Sequence, residues 1–395
     1  MIGITPFLSH PSKSLEQKIL DLLQLDGQLD SAIPKTIRQD LIYFLRFMNS
    51  YYSNRIEGNS TRPKELLQLA ASSLQESLQQ STQSKDKREI LRHIEVQLHL
   101  ITKNPFLPSQ VATAKFIQYL HQQFYANCSP EDLIIQDKDT PTTHYIVPGE
   151  YRNTLVEVGR HIPPKPEDIQ AYMRWFSEFY NIAHQDGINK FYAAAASHHR
   201  LAWIHPFLDG NGRVTRLFTD SFMQACGLKT YGVWTMARGF SRHADEYFKQ
   251  LALADYPRQG ISDGRGILSD RGLESFSCFF YDTAIDQIRF FIDLLEPEQL
   301  ATRLEYYFQL RIQGALPQQN KLPKESLFIY KTLFFEGSRP RLFFQNSLHI
   351  SERKLRDIIK LMVSDGLIIA PHKSDLQVKL PAKIIDYLFP RLLSD

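Results

Sequence analysis

The chain has 395 residues, 43% of them hydrophobic and 23% charged, with a net charge of +3 at pH 7 and three cysteines. This is enough length and apolar content for two or three domains with sizeable cores. No run approaches the ~20 consecutive apolar residues of a membrane span, and the widely spaced, odd-numbered Cys128, Cys226 and Cys278 exclude a disulfide framework or a zinc site. Met1 to His10 lacks the basic start and apolar stretch of a signal peptide, so the expectation is a cytoplasmic protein without membrane contact. The small positive charge neither requires nor excludes nucleic acid.

Residues 1–107 read as an N-terminal helical region. Ile37, Leu41, Phe44, Leu45, Met48 and Tyr52 recur at helical spacing, and the helix runs into Ser53-Asn54-Arg55-Ile56-Glu57-Gly58. Ser53 and Glu57 are four apart and share a face, and Gly58 reads as a C-terminal cap. On these residues alone, the segment is a helix ending in a glutamate and a stop. Ser72 to Lys87 is rich in Ser, Gln and Lys and reads as an exposed helix or loop. Between Tyr145 and Val158, β-branched and aromatic residues flank Pro148-Gly149, which predicts a short hairpin.

The densest chemistry lies in His205-Pro206-Phe207-Leu208-Asp209-Gly210-Asn211-Gly212-Arg213-Val214-Thr215-Arg216. A helical run from Phe191 to Ile204 precedes it, and Val214, Leu217, Phe218, Phe222 and Ala225 at helical spacing follow it. The loop therefore feeds a helix N-terminus, where free amides and the helix dipole favour an anion. Gly210 and Gly212 let backbone approach a phosphate, and Arg213 and Arg216 can clamp its oxygens. Asp209 is a hard oxygen ligand suited to Mg²⁺. His205, held out of helical geometry by the following proline, can titrate near neutrality. A base, a metal ligand and a phosphate cradle in one loop make a phosphoryl- or nucleotidyl-transfer constellation. Further on, Tyr247 and Leu251 are four apart on one helix face, a spacing that suits either plain core or the wall of a flat pocket. Ser262 to Gly266 is a polar connecting loop, since no strand precedes it.

Gly314 to Pro323 reads as a linker. Beyond it, Lys324 to Phe335 is an apolar-periodic helix, and Ser351 caps a second with Leu355, Ile358, Ile359 and Met362, stopping at Gly366. Leu367-Ile368-Ile369 and Val378-Lys379-Leu380 predict a hairpin around His372-Lys373-Ser374-Asp375. Helices followed by such a hairpin resemble a winged helix-turn-helix. Arg353, Lys354, Arg356 and Lys360 give the second helix a mildly basic face that allows DNA contact. Glu352 and Asp357 interrupt that face, which equally suits dimerisation or partner docking.

The 205–216 loop resembles the signature of the Fic (filamentation induced by cAMP) family, H-x-F-x-[DE]-G-N-G-R-x-x-R, and matches it at every fixed position. The resemblance implies a mainly α fold: a Fic helical core (108–313) with a β-hairpin flap, plus a C-terminal winged helix-turn-helix domain (324–395). It implies a protein adenylyltransferase using ATP and Mg²⁺, in which His205 deprotonates a hydroxyl of a target protein that attacks the α-phosphorus. Asp209 would hold the metal, Gly210, Asn211 and Gly212 would line the anion site, and Arg213 and Arg216 would take the β- and γ-phosphates. Ser53 to Gly58 resembles the family's inhibitory motif, [ST]-x-x-x-E-[GN], which implies that Glu57 pairs with Arg216 and blocks productive nucleotide binding. By the same resemblance Thr154, Leu155, Val156 and Glu157 lie on the flap that receives the target segment, and Tyr247 and Leu251 wall the adenine pocket. Self-modification, homodimerisation and removal of AMP are further implications of that family. Two alternatives stand beside this reading: a DNA-binding regulator with a vestigial or sensing Fic core, and a Fic enzyme that transfers a different nucleotide.

Overall fold

Helices dominate the computed structural model, which describes residues 3–62, 65, 84–136, 142–372 and 374–392. The described chain divides into two compact units, one of residues 3–27, 49–61 and 84–288 and the other mainly of residues 28–48 and 289–392. The first unit contains residues 13–27 of α1 (Lys13–Ala32) and residues 49–56 of α2 (Arg38–Ile56). It continues through α3 (Lys85–Thr102), α4 (Ala114–Tyr125), β1 (Ile134–Gln136), β2 (Thr143–Tyr145), α5 (Pro166–Phe179), α6 (Asn189–Ile204) and α7 (Asn211–Ala225). Helices α8 (Met236–Arg242) and α9 (Ala244–Asp255) follow, and residues 270–288 of α10 (Asp270–Leu294) complete it.

Helices α6 and α7 pack directly on each other at the centre of this unit. Helix α6 is buried nearly all round because Ala193, Ala194, Ala195 and Ala196 carry almost no side chain and let neighbouring helices approach. Helix α7 presents Val214, Leu217, Phe218 and Phe222 to the core, the spacing of one helical face. Helix α4 adds Phe116, Ile117, Leu120 and Phe124, capped at its start by the Thr113 hydroxyl, which accepts from Phe116 N. Asp26 on α1 accepts hydrogen bonds from Lys229 N and Thr230 N at 2.8 and 3.0 Å, which ties α1 to the segment after α7.

The second unit holds α11 (Pro297–Gln313), α12 (Glu325–Glu336), α13 (Arg341–Leu348), α14 (Glu352–Ser364), β3 (Ile368–Ile369), β4 (Gln377–Val378) and α15 (Ala382–Leu388). Strands β3 and β4 are antiparallel, with Ile368 opposite Val378. The Ser351 hydroxyl caps α14 by accepting from Lys354 N. Leu355, Ile358, Ile359 and Met362 are buried, while Arg353, Arg356 and Lys360 face solvent. Arg356 is paired with Glu352 and Lys354 with Glu325, both at 2.6 Å.

Three expectations change. The hairpin predicted over 145–158 is not a ladder: β1 pairs with β2, Ile134 opposite Tyr145, and residues 146–157 carry no strand. Their backbone goes elsewhere, since Arg152 N donates to Pro206 O at 2.9 Å. The compact units also divide the expected N-terminal region 1–107, with residues 28–48 in the second unit and residues 3–27, 49–61 and 84–107 in the first. Finally, the segment 314–323 is packed rather than a loose linker. The fully buried Arg311 donates to Asn320 O and Gln319 Oε1 at 2.8 Å each and also pairs with Asp365. Most of the polar stretch 72–87 lies outside the described residues, as does Lys373 in the turn between β3 and β4.

Candidate active site

The site forms where α6 ends and α7 begins. Helix α6 stops at Ile204, and His205 takes a left-handed conformation (φ 49°) that a side chain rarely adopts. Gly210 (φ 77°) turns the chain into α7 and offers no capping side chain, so the first amides of α7 point out of the helix end. A Cβ on Gly210 would lie 2.9 Å from the Tyr125 hydroxyl, so this close approach also requires glycine. Asn211 braces the loop: its Oδ1 accepts from Phe207 N at 2.9 Å and its Nδ2 donates to Phe207 O at 2.7 Å. Its side chain is therefore spent on the backbone, and only its amide remains for an anion.

A carboxylate already stands in the anion position. Glu57 Oε1 accepts from Arg216 Nη2 at 2.6 Å. The same carboxylate lies over Gly212, filling the space a Cβ there would need. Ser53 completes the grip, its hydroxyl and carbonyl each accepting from Arg216 at 2.9 Å. Glu57 follows α2 directly, with Glu57 N bonded to Asn54 O and Gly58 at φ 85°, so the helix end delivers the carboxylate. Burial alone would raise the Glu57 pKa, but the charges of Arg216 and Arg213 and the Arg216 hydrogen bond outweigh it and hold the carboxyl below its ordinary value.

Arg213 is buried and held by Asp209 at 3.0 Å and Glu89 at 3.1 Å, with its guanidinium 4.9 Å from the Phe124 ring centre. Asp209 Oδ2 also accepts from the Tyr125 hydroxyl at 2.7 Å. Burial tends to raise the Asp209 carboxyl, and Arg213 and Tyr125 pull it below its ordinary range, so it is an anion. Its side chain is 45% exposed. Among the described residues no group of three or more His, Cys, Asp or Glu side chains forms a metal cage. One open carboxylate suits a divalent cation that arrives with a nucleotide, because such ions keep water and phosphate oxygens as their other ligands.

Burial, the Arg152 charge and then His161 push His205 down to about 4, so its imidazole is neutral at pH 7 and able to accept a proton. The arrangement unites a neutral base, an anion cradle, an exposed carboxylate and two guanidinium groups.

Residues 111–223 match the model of the Fic/DOC family. This segment of the chain is similar to a Fic domain. It is 26% identical over 253 residues to the protein adenylyltransferase Fic of Nematostella vectensis, covering 62% of this chain and 52% of that protein. It is 30% identical over 185 residues to the protein of the same name from Drosophila melanogaster, covering 46% of this chain and 33% of that one. The chain thus spans about half or less of the length of these curated relatives. Among solved structures, a Fic family protein from Desulfovibrio desulfuricans G20 aligns with a TM-score of 0.54 at 13% identity, covering 96% of this chain and 98% of that one. Fic-1 from C. elegans aligns at 0.51 with 18% identity, covering 70% of this chain and 71% of the other. These likenesses show the fold.

Within residues 111–223 and their flanks, the structure brings together His205, Asp209, Gly210, Gly212, Arg213, Arg216, Ser53 and Glu57. Tyr247 is only 2% exposed. Its hydroxyl bonds His198 Nε2 at 2.8 Å, its ring stacks on Phe240 at 4.4 Å, and Arg216 stands within hydrogen-bonding reach of it. It is a buried support behind Arg216; on the same helix the neighbouring Phe248 is 49% exposed, with its ring 5.5 Å from that of Tyr247. Leu251 is half-buried. On the loop, Thr154 and Val156 are half-buried, while Leu155 and Glu157 are exposed. Sequence reading missed Tyr125 and Glu89, and it placed Arg152 only within the expected hairpin. Only the packing of α3, α4 and the 146–164 loop against the α7 N-terminus reveals their contacts.

Proposed function

We propose that the chain is an ATP-dependent protein adenylyltransferase held down by its own Glu57. The observation that carries this reading is the Glu57 carboxylate seated over Gly212 and paired with Arg216 at 2.6 Å. An anion cradle is built here, and an internal anion occupies it. The names of the curated relatives support AMP transfer as the chemistry.

His205 takes the proton of a target hydroxyl, whose oxygen bonds to the α-phosphorus of ATP as the bond to the β-phosphate oxygen breaks. The products are an AMP-protein and pyrophosphate. Arg213 and Arg216 receive the charge that builds on the leaving pyrophosphate, and the α7 amides hold the phosphates in line; such reactions depend mainly on positioning and charge stabilisation. Asp209 would hold Mg²⁺, which when bound neutralises phosphate charge. The loop at 154–157, with Leu155 open to solvent, receives the target. The second unit reads as a winged helix, with the exposed Arg353 and Lys360 on α14 as its points of contact with a DNA or protein partner.

The test incubates the Glu57→Gly chain with cell lysate, Mg²⁺ and each of ATP, GTP, CTP and UTP labelled at the α-phosphate, followed by mass spectrometry. Labelled proteins with ATP, absent with His205→Ala, are expected. Labelling with another nucleotide in preference to ATP would replace AMP as the group transferred, and no labelling with any of them would refute transfer.

A further inference from the structure

Arg152 is a guanidinium in an unusual place. It is only 4% exposed, and among the described residues it bonds no carboxylate. All of its side-chain acceptors are main-chain carbonyls: Nε donates to His205 O at 2.9 Å, Nη1 to Thr154 O at 2.9 Å and Nη2 to Pro164 O at 2.5 Å. Its own amide donates to Pro206 O at 2.9 Å. Burying a cation without a carboxylate is costly, so the placement calls for a compensating task.

Two physical needs meet at this point. The last carbonyls of α6 have no partner within the helix, and a cation at a helix C-terminus is favourable. His205 must also be held in its left-handed conformation, which strains a residue with a Cβ. Arg152 answers both, gripping the carbonyls of His205 and Pro206 from side chain and main chain. His161, from the same loop, donates through Nε2 to Trp203 O at 2.7 Å and steadies the turn before it. The other two Arg152 bonds fasten the loop on either side of its exposed part, where Leu155 is 70% and Ile162 71% exposed.

We propose that Arg152 is a positioning residue for the base: it fixes the backbone at His205 and ties that fixation to the loop that meets the target protein. A target that settles on the 154–164 segment acts on the same guanidinium that sets the imidazole, so docking and base placement are one mechanical unit. This rests on the transferase reading above. The charged and titratable groups set around the imidazole are Arg152 and His161 from the loop and Glu57 from the end of α2. Of these, Arg152 acts most strongly to keep the ring unprotonated.

The experiment uses the full chain with Glu57→Gly, into which Arg152→Met or Arg152→Lys is introduced. Self-modification with α-labelled ATP is measured together with ATP affinity, and the His205 ring is titrated by NMR in isotope-labelled protein, assigned against His205→Ala. Arg152→Met is expected to lower kcat by at least about tenfold while ATP affinity stays within about twofold, since a small misplacement of a reacting group is that costly. Its His205 midpoint moves upward from that of the Glu57→Gly parent, because the nearby Arg152 charge that lowers it is gone. Arg152→Lys keeps the charge but reaches fewer carbonyls, so its His205 midpoint stays near that of the parent while kcat still falls severalfold. A parent-like kcat in either variant, or an unmoved His205 midpoint in Arg152→Met, overturns the assignment. If Arg152→Met does not fold, kcat of the Lys variant decides. If the parent Glu57→Gly chain transfers nothing, the transferase reading fails, and the NMR titration still judges Arg152.

Discussion

Replacing Glu57 by glycine removes the internal anion and should accelerate AMP transfer. The carboxylate accepts one charge-assisted hydrogen bond at 2.6 Å from a buried guanidinium. Such bonds contribute about 1.5–3 kcal/mol. The Glu57 side chain is 36% exposed, and solvent screening places the pair toward the lower end. About 1.5–2 kcal/mol corresponds to a gain of roughly ten- to thirtyfold, at about 1.4 kcal/mol per factor of ten. Because Glu57 lies just beyond the last residue of α2, glycine there costs little helix stability. The assay compares initial rates of self-modification with α-labelled ATP at matched nucleotide occupancy. Glu57→Gln, which keeps the shape and loses the charge, should fall between parent and glycine. Arg216→Ala should show no gain, because it removes the anchor of the inhibitor and the phosphate clamp together. A Glu57→Gly chain no faster than the parent would refute the inhibitory reasoning.

His205→Ala should abolish transfer and leave ATP affinity nearly unchanged, measured by calorimetry, because the imidazole serves the attacking hydroxyl. Asp209→Ala should remove the Mg²⁺ dependence of nucleotide binding; an unchanged dependence would exclude Asp209 as the metal's protein ligand. Burial holds His93 at about 3 and His121 and His205 at about 4, against about 6.5 in an unfolded chain. Between pH 6.5 and 4 the unfolded chain therefore binds protons that the folded one refuses, and stability falls with pH through that window. The urea midpoint should decline accordingly, and a flat profile would contradict the burial of these rings. In the second unit, Asp365→Ala strands the fully buried Arg311 and should cost about 3–5 kcal/mol in urea unfolding.

The 205–216 loop was legible because its chemistry is local. Residues of one helix end must sit near one another whatever surrounds them, so the histidine, glycines and arginines could be expected in one place from spacing. The pairing of Glu57 with Arg216 was legible only through resemblance, since 159 residues separate them. The hairpin at 145–158 misled because Pro148-Gly149 does mark a turn, but beyond it Arg152 N finds its acceptor, Pro206 O, in the 205–216 loop. Tyr247 misled because helical spacing shows that two residues share a face and leaves open which way the face looks; here it looks into the core.

By itself the sequence determined the helical class and the place of the 205–216 loop between two helices, because these follow from periodicity and from the chemistry of adjacent residues. The tertiary structure alone decided that the Glu57 carboxylate, just past α2, lies over Gly212 and pairs with Arg216, that Tyr125 and Glu89 hold Asp209 and Arg213, and that Arg152 grips the His205 and Pro206 carbonyls. Each of these joins segments far apart in the chain, and hydrogen-bond geometry and burial exist only once those segments have packed.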